Sequence, residues 1–226
     1  RCVEVITILV TYIGGIKMKE IITFCSIGTN KVVLPIQYNH LVQAMIYELL
    51  DEELATFLHE EGFQNKRRVF KMFAFSRILG KYILDKKGEI IKFNQSIKLI
   101  ISSPFSEFSN SIGNSFLRRQ KVKLGNNPLE VKQLTIEKEN VNKEEIKFYT
   151  LSPISTYSTL YRKDGKKFTY YFNPQEDEFS ETIGNNLRNK YKAFYLKEPP
   201  EGEIKLIPIG PTKLSIVKYK GFAIKG

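Results

Sequence analysis

The 226-residue chain has no tryptophan and only two cysteines and two histidines. Cys2 and Cys25 lie far apart and form no C-x-x-C pair, which argues against a disulfide framework and favours a reducing cytoplasm. Because the histidines, His40 and His59, are also distant from one another, no zinc site of standard spacing can be written. The sequence therefore predicts neither a bound metal nor a cofactor.

Long apolar runs are also missing. The longest, VEVITILVTYIGGI near the amino terminus, is too short to span a bilayer and contains Glu4. It is a poor signal peptide, because Arg1 is its only leading positive charge and no A-x-A site follows. Met18 opens MKEIITF, a reasonable native start, so residues 1–17 are interpreted as an extension of undetermined status. Because no basic amphipathic helix is predicted either, we expect no membrane partner.

Positive charge is abundant. Lysine and arginine number 35 against 24 aspartates and glutamates, giving a net charge of +11 and a pI of about 9.4. Such a balance in a short chain favours a polyanionic partner or an anionic membrane surface, and a merely soluble basic protein is the alternative. The apolar fraction of 42% is sufficient for a core.

The order of elements predicts an α+β fold with two tandem modules, over 18–139 and 146–226, joined by a polar linker at 140–145. In the first module, strands are followed by a helix that starts at Asn39, continues or restarts at Asp51 and stops at Gly62. A basic loop QNKRR, a strand VFKMFAFS, the strands in EIIKFNQSIKLIIS and a second helix at 105–120 come next. The second module begins with the strand IKFYTLSPIST and a hairpin that turns at Asp164-Gly165. A helix at 176–195 and the strands EIKLIPI and KLSIVKYKGFAI follow.

His59 is one candidate for chemistry. On a helix that starts near Asp51, the apolar face is formed by Leu54, Phe57 and Leu58, and His59 lies well off its centre. One interpretation is a solvent-exposed histidine without a role. The other is a general acid or base, since only histidine has an ordinary pKa near working pH.

Tyr47 and His40 share the preceding helix. If that helix starts at Asn39, His40 and Tyr47 lie two turns apart on one face. His40 would then occupy the amino-terminal end, where the helix dipole disfavours an imidazolium. From the sequence alone, the favoured interpretation of Tyr47 is a half-buried packing residue with its hydroxyl at the surface.

Basic side chains surround the aromatic segment that follows His59. Lys71 interrupts the apolar pattern of the predicted strand and must either extend its amine to solvent or meet an anion. Lys66, Arg67 and Arg68 precede Lys71 in the basic loop, and Arg77 follows it. Basic groups beside aromatic strands suit RNA, through phosphate contacts and base stacking. The alternatives are an edge-strand lysine that opposes aggregation and a solvated basic loop.

An ordered series of segments resembles a known family. LPIQYNHLVQAMIY, LATFLHEEGF, FKMFAFSRI, IISSP, LSPI, EFSETIGNNLRNKY and KYKGFAIKG are similar, in this order, to the CRISPR-associated endoribonucleases that process repeat RNA. These form the sixth Cas family, within the RAMP superfamily. The resemblance implies two tandem ferredoxin-like, RRM-type modules. The second module would lack its last helix and strand, together with the glycine-rich loop between them.

The resemblance also implies a mechanism. The ribose 2′-hydroxyl upstream of the scissile bond attacks the phosphate without a metal ion, giving a 2′,3′-cyclic phosphate and a 5′-hydroxyl. Tyr47, His59 and Lys71 match the family's tyrosine, histidine and lysine, so we expect His59 to act as general base or acid. Lys71 would stabilise charge and Tyr47 would donate an orienting hydrogen bond. His40 is the candidate for a second proton-transfer group.

The expected partner is CRISPR repeat RNA, contacted by Lys66, Arg67, Arg68 and Arg77. Other Cas subunits and a second copy of the chain are further candidate partners. The alternative function is a non-catalytic RNA-binding subunit of a CRISPR ribonucleoprotein.

Overall fold

The computed structural model describes residues 16–140, 151, 154–202, 204–209, 214, 216–219 and 222–225. These residues divide into two compact units, one formed by residues 16–62 and 71–140 and the other by residues 63–70 and the described residues from 151 onwards. We call them the N-terminal and C-terminal units. Residues 63–70 thus belong to the C-terminal unit, although the residues before and after them belong to the N-terminal unit. The sequence did not predict this assignment.

The helices of the described residues are α1 Asn39–Leu49, α2 Glu52–Thr56, α3 Ser106–Arg118 and α4 Asp177–Tyr195, and a π-helical turn, Phe57–Glu61, continues α2. The strands are β1 Ile16–Ser26, β2 Lys31–Pro35, β3 Phe63–Asn65, β4 Arg68–Phe70, β5 Ala74–Phe75, β6 Tyr82–Asp85, β7 Ile90–Asn94, β8 Ser96–Ser103, β9 Lys121–Leu124, β10 Asn127–Asn140, β11 Tyr157–Tyr161, β12 Lys167–Tyr171, β13 Ile216–Tyr219 and β14 Phe222–Lys225. None of the helices in these ranges is both long and apolar enough to cross a bilayer.

A five-stranded antiparallel sheet organises the N-terminal unit. Its strand order is β5-β8-β1-β10-β9. If β9 is regarded as a hairpin added to β10, the remaining strands and helices follow the β-α-β-β-α-β order of a ferredoxin-like module, with β1 between β8 and β10. A second sheet, β2-β7-β6, completes the unit. The predicted α+β class with ferredoxin-like architecture is confirmed.

The core of this unit lies between the five-stranded sheet and helices α1 and α3. Side chains alternate along β1, so Ile22 and Phe24 point to the same face and are fully buried. Their partners in β8, Leu99 and Ile97, are buried on that face as well. Helix α3 packs on them through its apolar stripe, where the ring of Phe116 meets the edge of Phe24 at 6.4 Å. This packing fixes the helices on which the candidate site depends.

One charged residue lies inside this core. Glu20, on the same face of β1, is fully buried, and its Oε1 accepts a hydrogen bond from the hydroxyl of Ser109 in α3. Its other carboxylate oxygen has no hydrogen-bond partner among the described residues. Burial raises the pKa of the Glu20 carboxyl, because the charged form loses its hydration.

The described residues of the C-terminal unit form α4 and three hairpins, β3–β4, β11–β12 and β13–β14. Hairpin β3–β4 packs on α4, with the Phe63 ring 5.2 Å from that of Phe194. In addition, the side-chain amide of Asn65 donates to the side-chain oxygen of Asn189 at 2.8 Å. These contacts explain why residues 63–70 group with the C-terminal unit.

Four sequence predictions about elements are wrong. The strand predicted over VFKMFAFS is interrupted at residues 71–73. The basic loop QNKRR is the tip of hairpin β3–β4, turning at residues 66 and 67, where Lys66 has a φ of 55°. Residues 204–209, predicted as a strand, form none. The last predicted strand is two strands, β13 and β14, paired as a hairpin. The strand predicted over IKFYTLSPIST falls largely outside the described residues.

Candidate active site

Tyr47, His59 and Lys71 lie together in the N-terminal unit. The Tyr47 and His59 rings meet edge to face, with centroids 5.6 Å apart and an interplanar angle of 80°. The Lys71 ammonium donates a hydrogen bond of 2.7 Å to the main-chain oxygen of His59. Three residues separated by up to 24 positions therefore form one cluster, in which a hydroxyl, an imidazole and a cation are neighbours.

The π-helical turn determines how His59 is presented. Its closing hydrogen bond runs from the Gly62 N–H to the Phe57 carbonyl at 2.7 Å, one residue further than in an α-helix. Leu58 is fully buried and anchors the turn, while the neighbouring His59 side chain is 69% exposed. Gly62 ends the turn at a φ of 66°, where a side chain would be strained. His59 is thus held at the surface next to a fixed anchor.

Lys71 does not lie in a strand, contrary to the prediction. Strand β4 ends at Phe70, and β5 begins only at Ala74. Between them Met72 adopts a φ of 52°, which the alternation of an extended strand cannot accommodate. The left-handed residue breaks the strand and leaves the Lys71 amine free to reach the His59 carbonyl.

The hairpin between them explains why His59 and Lys71 meet. Phe63 pairs directly with Phe70 across β3–β4, so the chain leaves the hairpin beside the point where it entered. Paired residues in an antiparallel ladder lie about 5 Å apart. His59 and Lys71 are twelve positions apart in the sequence, but they flank the two ends of the hairpin and therefore lie close together. The Lys71–His59 hydrogen bond joins the chain on either side of the hairpin.

The Tyr47 ring is held by aromatic neighbours. Phe73 packs edge to face against it, with ring centroids 5.7 Å apart, in addition to the contact that Tyr47 makes with His59. Phe73 in turn stacks on Phe108 of α3 at 5.3 Å and 24°. Desolvation raises the pKa of the Tyr47 hydroxyl, partly offset by a hydrogen bond with the side chain of Gln43. The hydroxyl therefore stays protonated near neutral pH and is a donor rather than an anion.

Glu60 orients the imidazole. Its Oε1 lies 2.6 Å from Nδ1 of His59. An ionised carboxylate only accepts hydrogen bonds, so Nδ1 carries the hydrogen in this contact. In the neutral ring, Nε2 is then left as the proton acceptor. The arrangement presents a single basic nitrogen on an exposed side chain.

The remaining predicted residues lie elsewhere. His40 is exposed in the first turn of α1, seven residues before Tyr47 and thus about 10 Å away along the helix axis. Lys66, Arg67 and Arg68 belong to hairpin β3–β4 of the C-terminal unit, whereas Arg77 belongs to the N-terminal unit. The four basic residues predicted to act together are therefore divided between the two units.

Sequence reasoning missed three residues at the cluster: Phe73, Glu60 and Gln43. Phe73 is half-buried, and its neighbours Tyr47 and Phe108 are remote in sequence, so no local pattern indicates its position. Glu60 directly follows His59, and this adjacency was the only available signal. Among the described residues, no group of three or more His, Cys, Asp or Glu side chains could hold a metal ion.

Comparisons with known proteins give the family context. Residues 135–226 match the family model "CRISPR associated protein Cas6, C-terminal". The CRISPR-associated endoribonuclease Cas6 1 of Methanocaldococcus jannaschii is 30% identical over 171 residues, which are 74% of this chain and 63% of the relative. The chain is a relative of the Cas6 proteins. The resemblance to the sixth Cas family predicted from the sequence is therefore confirmed.

Further relatives agree with this relationship. A second Cas6 endoribonuclease of the same archaeon is 31% identical over 162 residues, covering 71% of this chain and 59% of that protein. The chain thus spans about three fifths of the lengths of these two Cas6 relatives. The solved structure of a Cas6-related protein from Pyrococcus furiosus has the same fold, with a TM-score of 0.68, 23% identity and coverage of 93% and 84% of the two chains.

Proposed function

We propose that this protein is an endoribonuclease that cleaves precursor transcripts of CRISPR repeats. The observation that carries the proposal is the cluster of Tyr47, His59 and Lys71, which combines a proton acceptor, a hydroxyl donor and a cation. Relatives named CRISPR-associated endoribonucleases support the activity, and a structurally similar RAMP protein that binds different RNA substrates supports the substrate class.

The chemistry requires three groups and no metal ion. Attack by a ribose 2′-hydroxyl needs a base to remove its proton, an acid to protonate the leaving 5′-oxygen, and positive charge for the phosphorane-like transition state. Nε2 of His59 is the proposed base, because Glu60 occupies the other ring nitrogen. The products are a 2′,3′-cyclic phosphate and a 5′-hydroxyl.

Lys71 supplies the positive charge and Tyr47 orients the phosphate. The leaving 5′-oxygen takes its proton from solvent water, and His59 releases to solvent the proton that it accepted from the 2′-hydroxyl. The Lys71 ammonium has three N–H donors, and one of them binds the His59 carbonyl, so two can face a phosphate oxygen. The Tyr47 hydroxyl remains protonated and can orient the phosphate by donating a hydrogen bond. A distance of about 10 Å along α1 separates His40 from Tyr47, which makes His40 the weaker candidate for proton transfer.

RNA contacts are proposed for four basic residues, of which three are exposed and Arg77 is half-buried. Lys66, Arg67 and Arg68 form the tip of hairpin β3–β4 and are all exposed. Their charge suits phosphate contacts that add affinity without sequence preference. Arg77 is proposed for the same role from the N-terminal unit.

The decisive experiment is cleavage of cognate repeat RNA in the presence of a chelator, with wild type and His59→Ala. The proposal predicts cleavage by wild type and a loss of at least about a hundredfold in the variant, as expected for removal of a general base. His40→Ala is the matched control and should retain most activity. If His59→Ala cuts as fast as wild type, His59 is not the base, and loss of activity in His40→Ala would transfer the role.

A second substrate tests the nucleophile. Repeat RNA with a single 2′-deoxyribose upstream of the cut should bind with unchanged affinity and remain intact, because it lacks the attacking oxygen. Cleavage of this RNA would contradict the mechanism. Binding of the unmodified RNA by wild type without any cleavage would instead favour a non-catalytic RNA-binding subunit.

A further inference from the structure

The hairpin β11–β12 of the C-terminal unit exposes an unusual face. Tyr157 pairs with Tyr171, Thr159 with Thr169, and Tyr161 with Lys167, and directly paired residues share one side of a ladder. We call these six residues the tyrosine face. Five of them are exposed and Tyr171 is half-buried. A two-stranded sheet normally buries one side, yet this side presents three aromatic rings to solvent.

The rings are arranged in two places. Tyr157 and Tyr171 form a pair with centroids 5.6 Å apart, and Tyr157 is 58% exposed. Tyr161 is 66% exposed at the turn end, with the ammonium of Lys167 5.7 Å from its ring centroid. Tyr161 lies four residue steps after Tyr157 along the strand, about 13 Å away, so the two places can take different bases.

Charge on the hairpin is complementary to a phosphate backbone. Residues 157–171 contain four basic side chains, Arg162, Lys163, Lys166 and Lys167, and a single acid, Asp164. That acid is already engaged, since its carboxylate accepts from the Lys166 N–H and lies 3.6 Å from the Lys166 ammonium. The nearby Glu176 accepts from the hydroxyl of Tyr170, which lies on the opposite face of the hairpin. Among residues 157–171, therefore, no acid is left to oppose an anion on the tyrosine face.

The side chains of the tyrosine face favour one class of ligand over others. Leu160 and Phe168 pair on the opposite side, so the tyrosine face contains no aliphatic side chain. A lipid surface or an apolar protein patch would find little to bury against threonines and tyrosine hydroxyls. Exposed aromatic rings with adjoining cations are instead the features that bind unpaired nucleotides, through stacking on the rings and contacts to the phosphates.

We propose that the tyrosine face is a binding platform for single-stranded RNA, with Tyr161 and Tyr157 stacking on bases and Lys167 contacting a phosphate. This inference deepens the proposed function, on which it rests for the class of substrate. It adds a site for unpaired nucleotides in the C-terminal unit, whereas the candidate active site belongs to the N-terminal unit.

Binding is tested with a labelled RNA of ten uridines, which forms no duplex, by fluorescence anisotropy. Tyr161→Leu should weaken binding about tenfold, within the range measured for one base-stacking ring, while Tyr161→Phe keeps the ring and should stay within twofold of wild type. Tyr82→Leu is the matched control, because Tyr82 is a 43% exposed strand tyrosine of the N-terminal unit. It should bind like wild type.

The cation is tested separately by salt dependence. Lys167→Gln should reduce the slope of log affinity against log salt by about 0.7, the value for one phosphate contact to a single strand. Circular dichroism checks that each variant is folded, and the Phe and Gln variants keep the test meaningful if the Leu variant does not fold. Wild-type affinity in Tyr161→Leu, or equal losses in the Leu and Phe variants, would overturn the proposal.

Binding and cleavage are measured independently, so the two proposals can fail separately. If wild type binds ten uridines through Tyr161 but cuts no repeat RNA, the endonuclease proposal fails and the platform stands. If wild type cuts repeat RNA and Tyr161→Leu binds ten uridines as wild type does, the platform fails and the endonuclease proposal stands.

Discussion

Phe73 is the residue whose replacement best tests the geometry of the cluster. Its ring contacts three others: Tyr47 at 5.7 Å, Phe108 at 5.3 Å and Phe75 at 6.5 Å. Replacement by leucine keeps most of the apolar volume but removes every ring contact. Aromatic pairs contribute about 0.5–1.5 kcal/mol each beyond burial, and Phe73 is half-buried, so we expect a loss of about 1.5–2 kcal/mol. With a urea m-value of about 2 kcal/mol/M, the midpoint falls by about 0.8–1 M.

The same substitution should affect catalysis more than binding. The Tyr47 ring contacts two other rings, those of His59 and Phe73. Without Phe73 it loses one of these contacts, and its hydroxyl is no longer fixed. A misplacement of about 1 Å can cost on the order of a hundredfold in rate. We therefore expect single-turnover cleavage of repeat RNA at saturating protein to slow by about 10- to 100-fold, while the dissociation constant for the RNA changes little.

Phe75→Leu is the control for this prediction. Phe75 is also half-buried and touches Phe73, but the ring against Tyr47 remains in place. It should lose about 0.5–1 kcal/mol of stability and keep its cleavage rate. The reasoning is refuted if Phe73→Leu cuts within twofold of wild type while Tyr47→Phe is impaired, because Tyr47 would then act without this support. Equal slowing in both leucine variants would indicate a general loss of packing instead.

Two further predictions concern carboxylates. Glu60→Ala should slow single-turnover cleavage about tenfold by releasing Nδ1 of His59, whereas Glu60→Gln keeps an acceptor and should restore most of the rate; equal rates for Glu60→Ala and wild type would contradict this role. Burial raises the pKa of Glu20, so the folded state holds its proton more tightly than the unfolded chain, and stability should fall as pH rises from 4.5 towards the raised value. In Glu20→Gln this decline of the urea midpoint should disappear, and a decline as large as that of wild type would disprove the assignment.

The sequence predicted those elements whose signals are local. Helix α1 was predicted from apolar residues at helical spacing, α4 from acids in its first turn and bases toward its end, and the turn of β11–β12 from Asp164-Gly165. The exposure of His59 followed from its position off the apolar face. The roles of Tyr47, His59 and Lys71 came from the family resemblance and stay predictions, although the structure brings the three residues together.

Non-local features escaped the sequence for identifiable reasons. The alternation of apolar residues predicted a strand through Lys71, but it gives no information on backbone φ. Met72 has a positive φ, and because it is not glycine its residue type does not indicate this conformation. The helical spacing around His59 assumes 3.6 residues per turn, which a π-helical turn does not keep. The pairing of β3 with β4 was hidden because the tip, Lys66-Arg67, contains none of the usual turn residues.

The excursion of residues 63–70 links the fold to the chemistry. His59 and Lys71 belong to the N-terminal unit, yet residues 63–70 between them belong to the C-terminal unit. There the side chain of Asn65 donates a hydrogen bond to that of Asn189. The two residues meet only because Phe63 and Phe70 are paired, which returns the chain to its starting point. A shift of the β3–β4 register would therefore move Lys71 relative to His59 even if no residue of the cluster changed. The spacing of the proposed base and cation is thus set by a hairpin that contains neither of them.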